Sequence, residues 1–365
     1  MTTGGPIRSV LYDVQAEQGA EFEDFDGWFW TSHLGDVRGE YEAIRTGAGL
    51  WDVYPLVKWD FRGADAARAV QRIFTNDVAG LEVGQVRYGA FVNEAGAMLD
   101  DGTVYRLGDD HLWVMTNNPG YEGWFAEVLA GLEVTVEDRT HEMPLVSLQG
   151  PTSRDLLRRL TSADLTGLGY FRFLPEQVEV AGIPVWLSRT GFSGELGFEM
   201  IPARDDAVDL WHALVETGAR PFGTHAVEIA RIEAGLVVIA VDYEPGVLSP
   251  YDLSFDRLIR LDVDCLGAAK LREIAADPPN RFVTLEIGSD EAPEYGAAVT
   301  KDGEAVGTLT SPTVSPRLGT IGLAILRSDM AIEENTVDVA VAEGTVPATV
   351  GSLSILDPAR KRPRS

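Results

Sequence analysis

What the chain has little of narrows it first. One cysteine, Cys265, stands in 365 residues, which excludes an intramolecular disulfide framework and a cysteine-cluster metal site and fits a reducing compartment. Five histidines, His33, His111, His141, His212 and His225, are scattered without metal-ligand spacing, so no metal is expected. No apolar stretch approaches the roughly 18 residues that span a bilayer, and the N-terminal segment lacks a secretion signature. The expected location is cytoplasmic. Cations are scarce, 30 Lys and Arg against 57 Asp and Glu, for a formal net charge of -27. Such a surface repels phosphate backbones and anionic membranes, which argues against nucleic-acid and membrane partners. An anionic ligand would need a local basic pocket inside that envelope. Also missing are a P-loop, a G-x-S-x-G elbow and a G-x-G-x-x-G after a strand, so a built-in flavin or nicotinamide domain is not expected.

What is there is ordinary globular composition, 45% hydrophobic and 24% charged, in a chain long enough for two or three cores. Periodicity predicts a helix over 40–48 and a strand over 50–57. A helix opening at Gly63-Ala64-Asp65 follows, with Ala66, Val70, Ile73 and Phe74 on one face and Arg68 and Arg72 solvated. Strands over 86–93 and 98–107 flank the turn Glu94-Ala95-Gly96-Ala97. A strand over 111–116 and a helix over 120–130 complete the first block. The second block holds a strand at 145–149, a hairpin over 178–189 turning at Ala181-Gly182, an amphipathic helix from Ala207 to Val215, and a helix over 226–234 capped by Thr224. From about Arg281 short alternating strands predict a small β-barrel. The basic tail Arg360-Lys361-Arg362-Pro363-Arg364-Ser365 could touch an anionic ligand, but reads first as a frayed, solvated end.

Two stretches could carry chemistry. Asp100-Asp101 lies in an apolar strand pattern before Gly102. Alternation sends the two carboxylates to opposite faces, so they are no glycosidase-type pair, and one can meet solvent while the other enters a cavity. Residues 188–199 form a glycine-rich turn whose end places Glu199 among strand-like apolar residues, where a buried carboxylate needs N–H donors of the kind a pterin ring edge offers.

These segments together resemble the aminomethyltransferase (glycine cleavage T-protein) family and its relatives that demethylate with tetrahydrofolate. The matching stretches begin with Glu42-Ala43-Ile44-Arg45-Thr46-Gly47-Ala48-Gly49-Leu50-Trp51-Asp52-Val53, Thr75-Asn76-Asp77-Val78 and Gly84-Gln85-Val86-Arg87-Tyr88. Asn93-Glu94-Ala95-Gly96, Met98-Leu99-Asp100-Asp101, Leu148-Gln149-Gly150-Pro151 and the run 188–199 continue the order. Arg231-Ile232-Glu233-Ala234-Gly235 and Thr310-Ser311-Pro312-Thr313-Val314-Ser315-Pro316 close it, so the likeness covers nearly the whole chain.

The resemblance implies an α+β, three-domain cloverleaf around a central folate hole, with a C-terminal β-barrel domain. Its divisions are a discontinuous folate-binding domain (1–60 and 140–235), a second α+β domain carrying Asp101 (61–139 and 236–275), and a barrel (276–358). It implies tetrahydrofolate as cofactor and Asp101 as catalytic carboxylate. Glu199 matches the residue that holds the pterin edge, Tyr88 lines the folate pocket, and Phe192 stands where the family commonly has Tyr. Trp28, Trp30 and Tyr54 are candidates to line the donor pocket.

Departures from the T-protein pattern shape the expected reaction. Tyr54-Pro55-Leu56-Val57 replaces Ser-His-Met-Gly, and Val227 replaces an Arg. The expected reaction is therefore methyl transfer from a small methylated N, O or S donor to folate N5. One alternative is aminomethyl transfer in glycine cleavage, giving methylene-tetrahydrofolate with a lipoyl carrier protein as partner. Another is a non-catalytic, folate-binding iron–sulfur assembly protein, marked by Lys-Gly-Cys-Tyr-x-Gly-Gln. Asp264-Cys265-Leu266-Gly267-Ala268 lacks the preceding Lys-Gly and the following Gln, so Cys265 reads as a buried apolar residue.

Overall fold

The computed structural model describes residues 5–365, and its strands gather into three main bodies. The first sheet has six strands in the order Val178–Val180, Ile183–Ser188, Gly197–Pro202, Val146–Gln149, Gly49–Asp52 and Arg220–Pro221. All its pairs are antiparallel except the last. Leu148, Leu187, Phe198 and Met200 from this sheet bury against Leu210, Trp211 and Leu214 of helix Ala207–Glu216. His212, beside Trp211, points to solvent, as a 3.6-residue stripe requires.

The second sheet is antiparallel throughout, in the order Val86–Val92, Met98–Arg106, His111–Thr116, Val57–Arg62 and Thr135–Asp138. Helices Ala66–Ile73 and Glu122–Val128 cover one face with Val70, Ile73 and Phe125, while Arg68 and Arg72 stay exposed. The third body is a closed barrel of six strands between Asn280 and Gly351. A separate hairpin, Glu21–Phe25 with Trp28–His33, packs its second strand on helix Thr224–Ala234. Among the described residues no helix is long and apolar enough to cross a membrane.

Three local expectations need correction. The stretch 50–57 is not one strand: Gly49–Asp52 belongs to the first sheet and Val57–Arg62 to the second. The chain changes sheet between them, where Pro55 has no N–H for a ladder. Thr224 is the first residue inside its helix, behind Gly223, and makes no capping bond. The basic tail is not frayed. Pro363 is buried, and main-chain oxygens of Pro363 and Ser365 accept hydrogen bonds from Arg189.

Two apolar clusters join the bodies. Trp51, Val53 and Phe222 of the first meet Tyr105, Trp113 and Met115 of the second. Ala90, Val92 and Met98 of the second meet Tyr243, Phe255 and the barrel residues Phe282 and Leu323. The faces between the sheets are therefore largely protein-lined, and polar groups placed there need protein or ligand partners.

Candidate active site

Strand Met98–Arg106 lies between two neighbours in its sheet. Strand alternation sets Asp101, Thr103 and Tyr105 on the face turned toward the first body, and Asp100 and Val104 on the helix-covered face. Asp101 is buried and accepts two phenol O–H bonds, from Tyr88 at 2.7 Å on Oδ2 and from Tyr243 at 2.6 Å on Oδ1. Burial raises its pKa to about 6, against the pull of these two hydroxyls.

The expectation that its neighbour meets solvent fails. Asp100 is wholly buried, because the far face is covered by helices and by the loop that follows strand His111–Thr116. Its oxygens accept the main-chain N–H groups of Asn117 (3.1 Å), Asn118 (2.9 Å) and Asp101 (2.8 Å), and Asn117 Nδ2 at 2.7 Å. Burial, then the Asp101 charge, raises its pKa to about 7. The two carboxylates are a pair in charge but not in position.

Glu199 sits on strand Gly197–Pro202, opposite Ser188 on one neighbour and Ser147 on the other. Ser147 Oγ lies 3.5 Å from Oε1, and the Thr190 hydroxyl donates to Oε2. The residue is partly open, and burial raises its carboxyl while those hydroxyls and Lys58 lower it. The glycines of the turn have a visible cause. A Cβ at Gly191 or Gly197 would come within 2.1 or 2.2 Å of the Gln149 amide. That amide holds Ser193 Oγ at 2.7 Å and Ser147 Oγ at 2.9 Å. Lys58, wholly buried, donates to the Tyr54 carbonyl at 2.6 Å, and burial lowers its pKa to about 7.

Tyr105 lies toward the Glu199 end of the wall that carries Asp101. It shares Asp101's strand face, and its hydroxyl lies 3.5 Å from Thr190 Oγ1, the group that donates to Glu199. Four strand residues at about 3.3 Å each set Asp101 and Tyr105 about 13 Å apart along the wall.

The remaining expected residues fall in two places. Phe192 and Trp30 are half-buried on the aromatic cluster between the first two bodies, Trp30 lying 5.8 Å from Trp51. Val227 is buried in the same cluster. Trp28 and Tyr54 pack edge-on at 5.5 Å. The Tyr54 hydroxyl is taken, donating to the His141 carbonyl at 2.8 Å and accepting from Arg204.

Two residues of the site, Tyr243 and Asp242, carried no sequence signal. Tyr243 follows a helix in an irregular stretch where periodicity says nothing. Its neighbour Asp242 is fixed by Arg231 (2.7 Å), Ser311 (2.6 Å) and Thr310 (2.5 Å). Arg45, fully buried, binds Glu233 (2.8 Å) and Glu195 (3.0 Å). An ionisable residue inside a motif, such as Arg45 or Arg231, was the available clue to these networks. Among the described residues, no group of three or more His, Cys, Asp and Glu is placed to hold a metal, and Cys265 is buried and free.

Comparison with known proteins places this architecture. Residues 11–263 match the model described as the GCVT N-terminal domain, and residues 280–357 the glycine cleavage T-protein C-terminal barrel domain. A probable aminomethyltransferase from Haloarcula marismortui is 35% identical over 372 residues, covering 98% of this chain and 100% of that protein. The aminomethyltransferase of Rubrobacter xylanophilus is 36% identical, covering 95% and 93%. The glycine cleavage system aminomethyltransferase T structure from Bartonella henselae superposes with a TM-score of 0.88 over 96% of this chain and 98% of that one. At 23% identity it speaks to the fold.

Proposed function

The chain belongs to the aminomethyltransferase, or glycine cleavage T-protein, family, and from that premise we propose that it is a tetrahydrofolate-dependent enzyme transferring a one-carbon group. Its full-length likeness to aminomethyltransferases supports aminomethyl transfer, with methylene-tetrahydrofolate as product and a lipoyl carrier protein as partner, in the cytoplasm. The expected methyl transfer is the second reading.

The observation that carries the proposal is Asp101, a buried carboxylate held by two phenols on the wall that leads to Glu199. The residues fit the cofactor. A carboxylate offers about four acceptor positions, and Glu199 uses two on Ser147 and Thr190, so a partly open edge remains for ring N–H donors. Tetrahydrofolate supplies the nucleophilic nitrogen that takes the carbon. Asp101 orients the reacting centre and exchanges a proton with it, and a carboxylate raised toward neutral pH is suited to both directions of transfer. Tyr88 and Tyr243 fix its rotamer, and Phe192 gives the folate a ring contact without a hydroxyl. The proposed division is 1–60 with 140–235 for the folate, 61–139 with 236–275 for Asp101, and 276–358 for the barrel, except that residues 57–60 go with the second sheet, to whose strand Val57–Arg62 they belong.

Methyl transfer draws its support from the aromatic cluster. Trp30 is half-open there, and Val227 adds no cation. A methylated ammonium would gain roughly 0.5–2 kcal/mol from such rings. Trp28 and Tyr54 would shape this side from behind, as packing. The test is to incubate the protein and tetrahydrofolate with an aminomethylated lipoyl protein, or with methylated amines, sulfonium compounds and methoxyaromatics, and weigh the folate product. Methylene-tetrahydrofolate from the carrier is expected. 5-Methyl-tetrahydrofolate from a free donor would install the second reading, and neither product would remove both. Glu199→Ala should weaken folate binding by about 1.5–3 kcal/mol, and unchanged affinity in calorimetry would refute that anchor.

A further inference from the structure

Strand Gly49–Asp52 lies two strands from Glu199 in the first sheet. Register sets Trp51 opposite Ser147, Ser147 opposite Glu199, and Glu199 opposite Ser188. Residues paired directly across antiparallel strands share a sheet face. Trp51 therefore stands in one row with the Glu199 carboxylate, its Cα about 10 Å away at two strand spacings. Their chain neighbours Leu50, Leu148, Phe198 and Leu187 turn to the other face, into the helix-packed core. Trp51 itself belongs to the cluster shared with Tyr105 and Trp113 of the second body, so the row looks toward the wall that carries Asp101.

The polar side chains of this row are met by protein, with one exception. Glu199 accepts from Thr190 and Ser147. Ser147 Oγ accepts from Gln149 at 2.9 Å, and the Ser188 and Thr190 hydroxyls share a bond of 2.7 Å. Trp51 Nε1 has no hydrogen-bond partner among the described residues, although the side chain is only 7% exposed. Buried N–H groups are nearly always paired, and an indole has nothing but that donor to offer. Nor is the ring free to turn away. Trp30 lies 5.8 Å from it, and Phe222 stacks on it at 5.9 Å and 25°. The acceptor that this N–H requires comes from outside the chain.

We propose that Trp51 is a specificity-determining residue of the folate site, its indole N–H donating to the carbonyl oxygen of the pterin ring. The inference rests on the folate reading above, with the ring N–H groups on Glu199. A pterin carries its carbonyl next to those N–H groups. A ring lying along the row thus presents donors to Glu199 and an acceptor toward Trp51. The same row opposes a ring with an amino group in place of the carbonyl, because N–H would then face N–H.

The test measures binding, not turnover. Calorimetry compares tetrahydrofolate with 4-amino-4-deoxytetrahydrofolate, on the full chain and on Trp51→Phe. The unmodified chain should prefer the carbonyl form by about tenfold or more, and Trp51→Phe should shrink that ratio by roughly tenfold, the scale of one hydrogen bond. The amino ring also lacks a ring proton that Glu199 would take. That loss is common to both proteins, so the change in ratio isolates Trp51. Packing lost with the larger ring weakens both ligands alike, whereas the lost N–H weakens only the carbonyl form. Equal affinity for the two ligands in the unmodified chain, or a ratio that survives in Trp51→Phe, would overturn the assignment and leave the folate reading standing. Binding of neither ligand would remove both.

Discussion

At the scale of single residues, the environment of Asp101 makes a prediction with a definite sign. Its pKa is raised to about 6, first by burial, with the Tyr243 and Tyr88 hydroxyls opposing the rise. Between the unfolded value near 3.8 and that raised value the folded state binds more protons than the unfolded one. This group's stabilising contribution is therefore complete below about 3.8 and lost as pH rises toward 6. Catalysis by the carboxylate runs the other way and should gain through the same window. Tyr243→Phe removes a donor that favours the ionised form, so the acid limb of kcat/KM should move to higher pH. Asp101→Asn should abolish most turnover, roughly 10²–10⁴-fold, while folding survives. A limb that stays in place in the Tyr243 variant would mean that Asp101 is not the titrating group. Asp101 was legible through the resemblance carried by Met98-Leu99-Asp100-Asp101, because the pattern taken alone reads equally as an Asp-Asp-Gly turn. Tyr243 was not, since an aromatic residue in an irregular segment matches no period, and only the folded chain carries it across 142 positions.

At the scale of elements, strand alternation told the faces of Asp100 and Asp101 apart but could not say what covers each face. The cover proves to be Asn117 and Asn118, whose main-chain N–H groups converge on Asp100. Asp100 thus closes the loop after its neighbouring strand and fixes the Asp101 backbone through that residue's own N–H. Asp100→Asn should cost about 1–3 kcal/mol, the penalty for leaving buried donors poorly met, and should show as a lowered thermal midpoint. Its effect on turnover should be smaller than that of Asp101→Asn, and an equal loss would mean that both act through structure. The same limit explains the strand expected over 50–57. Apolar pattern continues through Tyr54 and Leu56, yet hydrogen-bond partners change from one sheet to another at Pro55, and pattern alone carries no information on partners. The glycine turn was legible as a turn, whereas its reason, the Gln149 amide lodged between Gly191 and Gly197, required the fold.

At the scale of the molecule, the barrel holds part of the site in place although it contributes no residue to Asp101. Asp242 is wired to Ser311 and Thr310 on a barrel strand and to Arg231 on helix Thr224–Ala234, and the next residue, Tyr243, donates to Asp101. Both Arg231 and Asp242 are buried, and breaking a buried pair from one side costs on the order of 3–5 kcal/mol. Asp242→Asn should therefore lower the thermal midpoint. It should also lower kcat/KM by displacing Tyr243, although residue 242 touches nothing that reacts. The two effects separate in a double-mutant cycle. If Asp242 acts through Tyr243, then Asp242→Asn adds little further loss of kcat/KM once Tyr243→Phe is present, because the phenol it positions is gone. Independent sites would instead add within about 0.3–0.5 kcal/mol. Additive losses would show that the barrel supports the fold alone, and that Tyr243 finds Asp101 without its help.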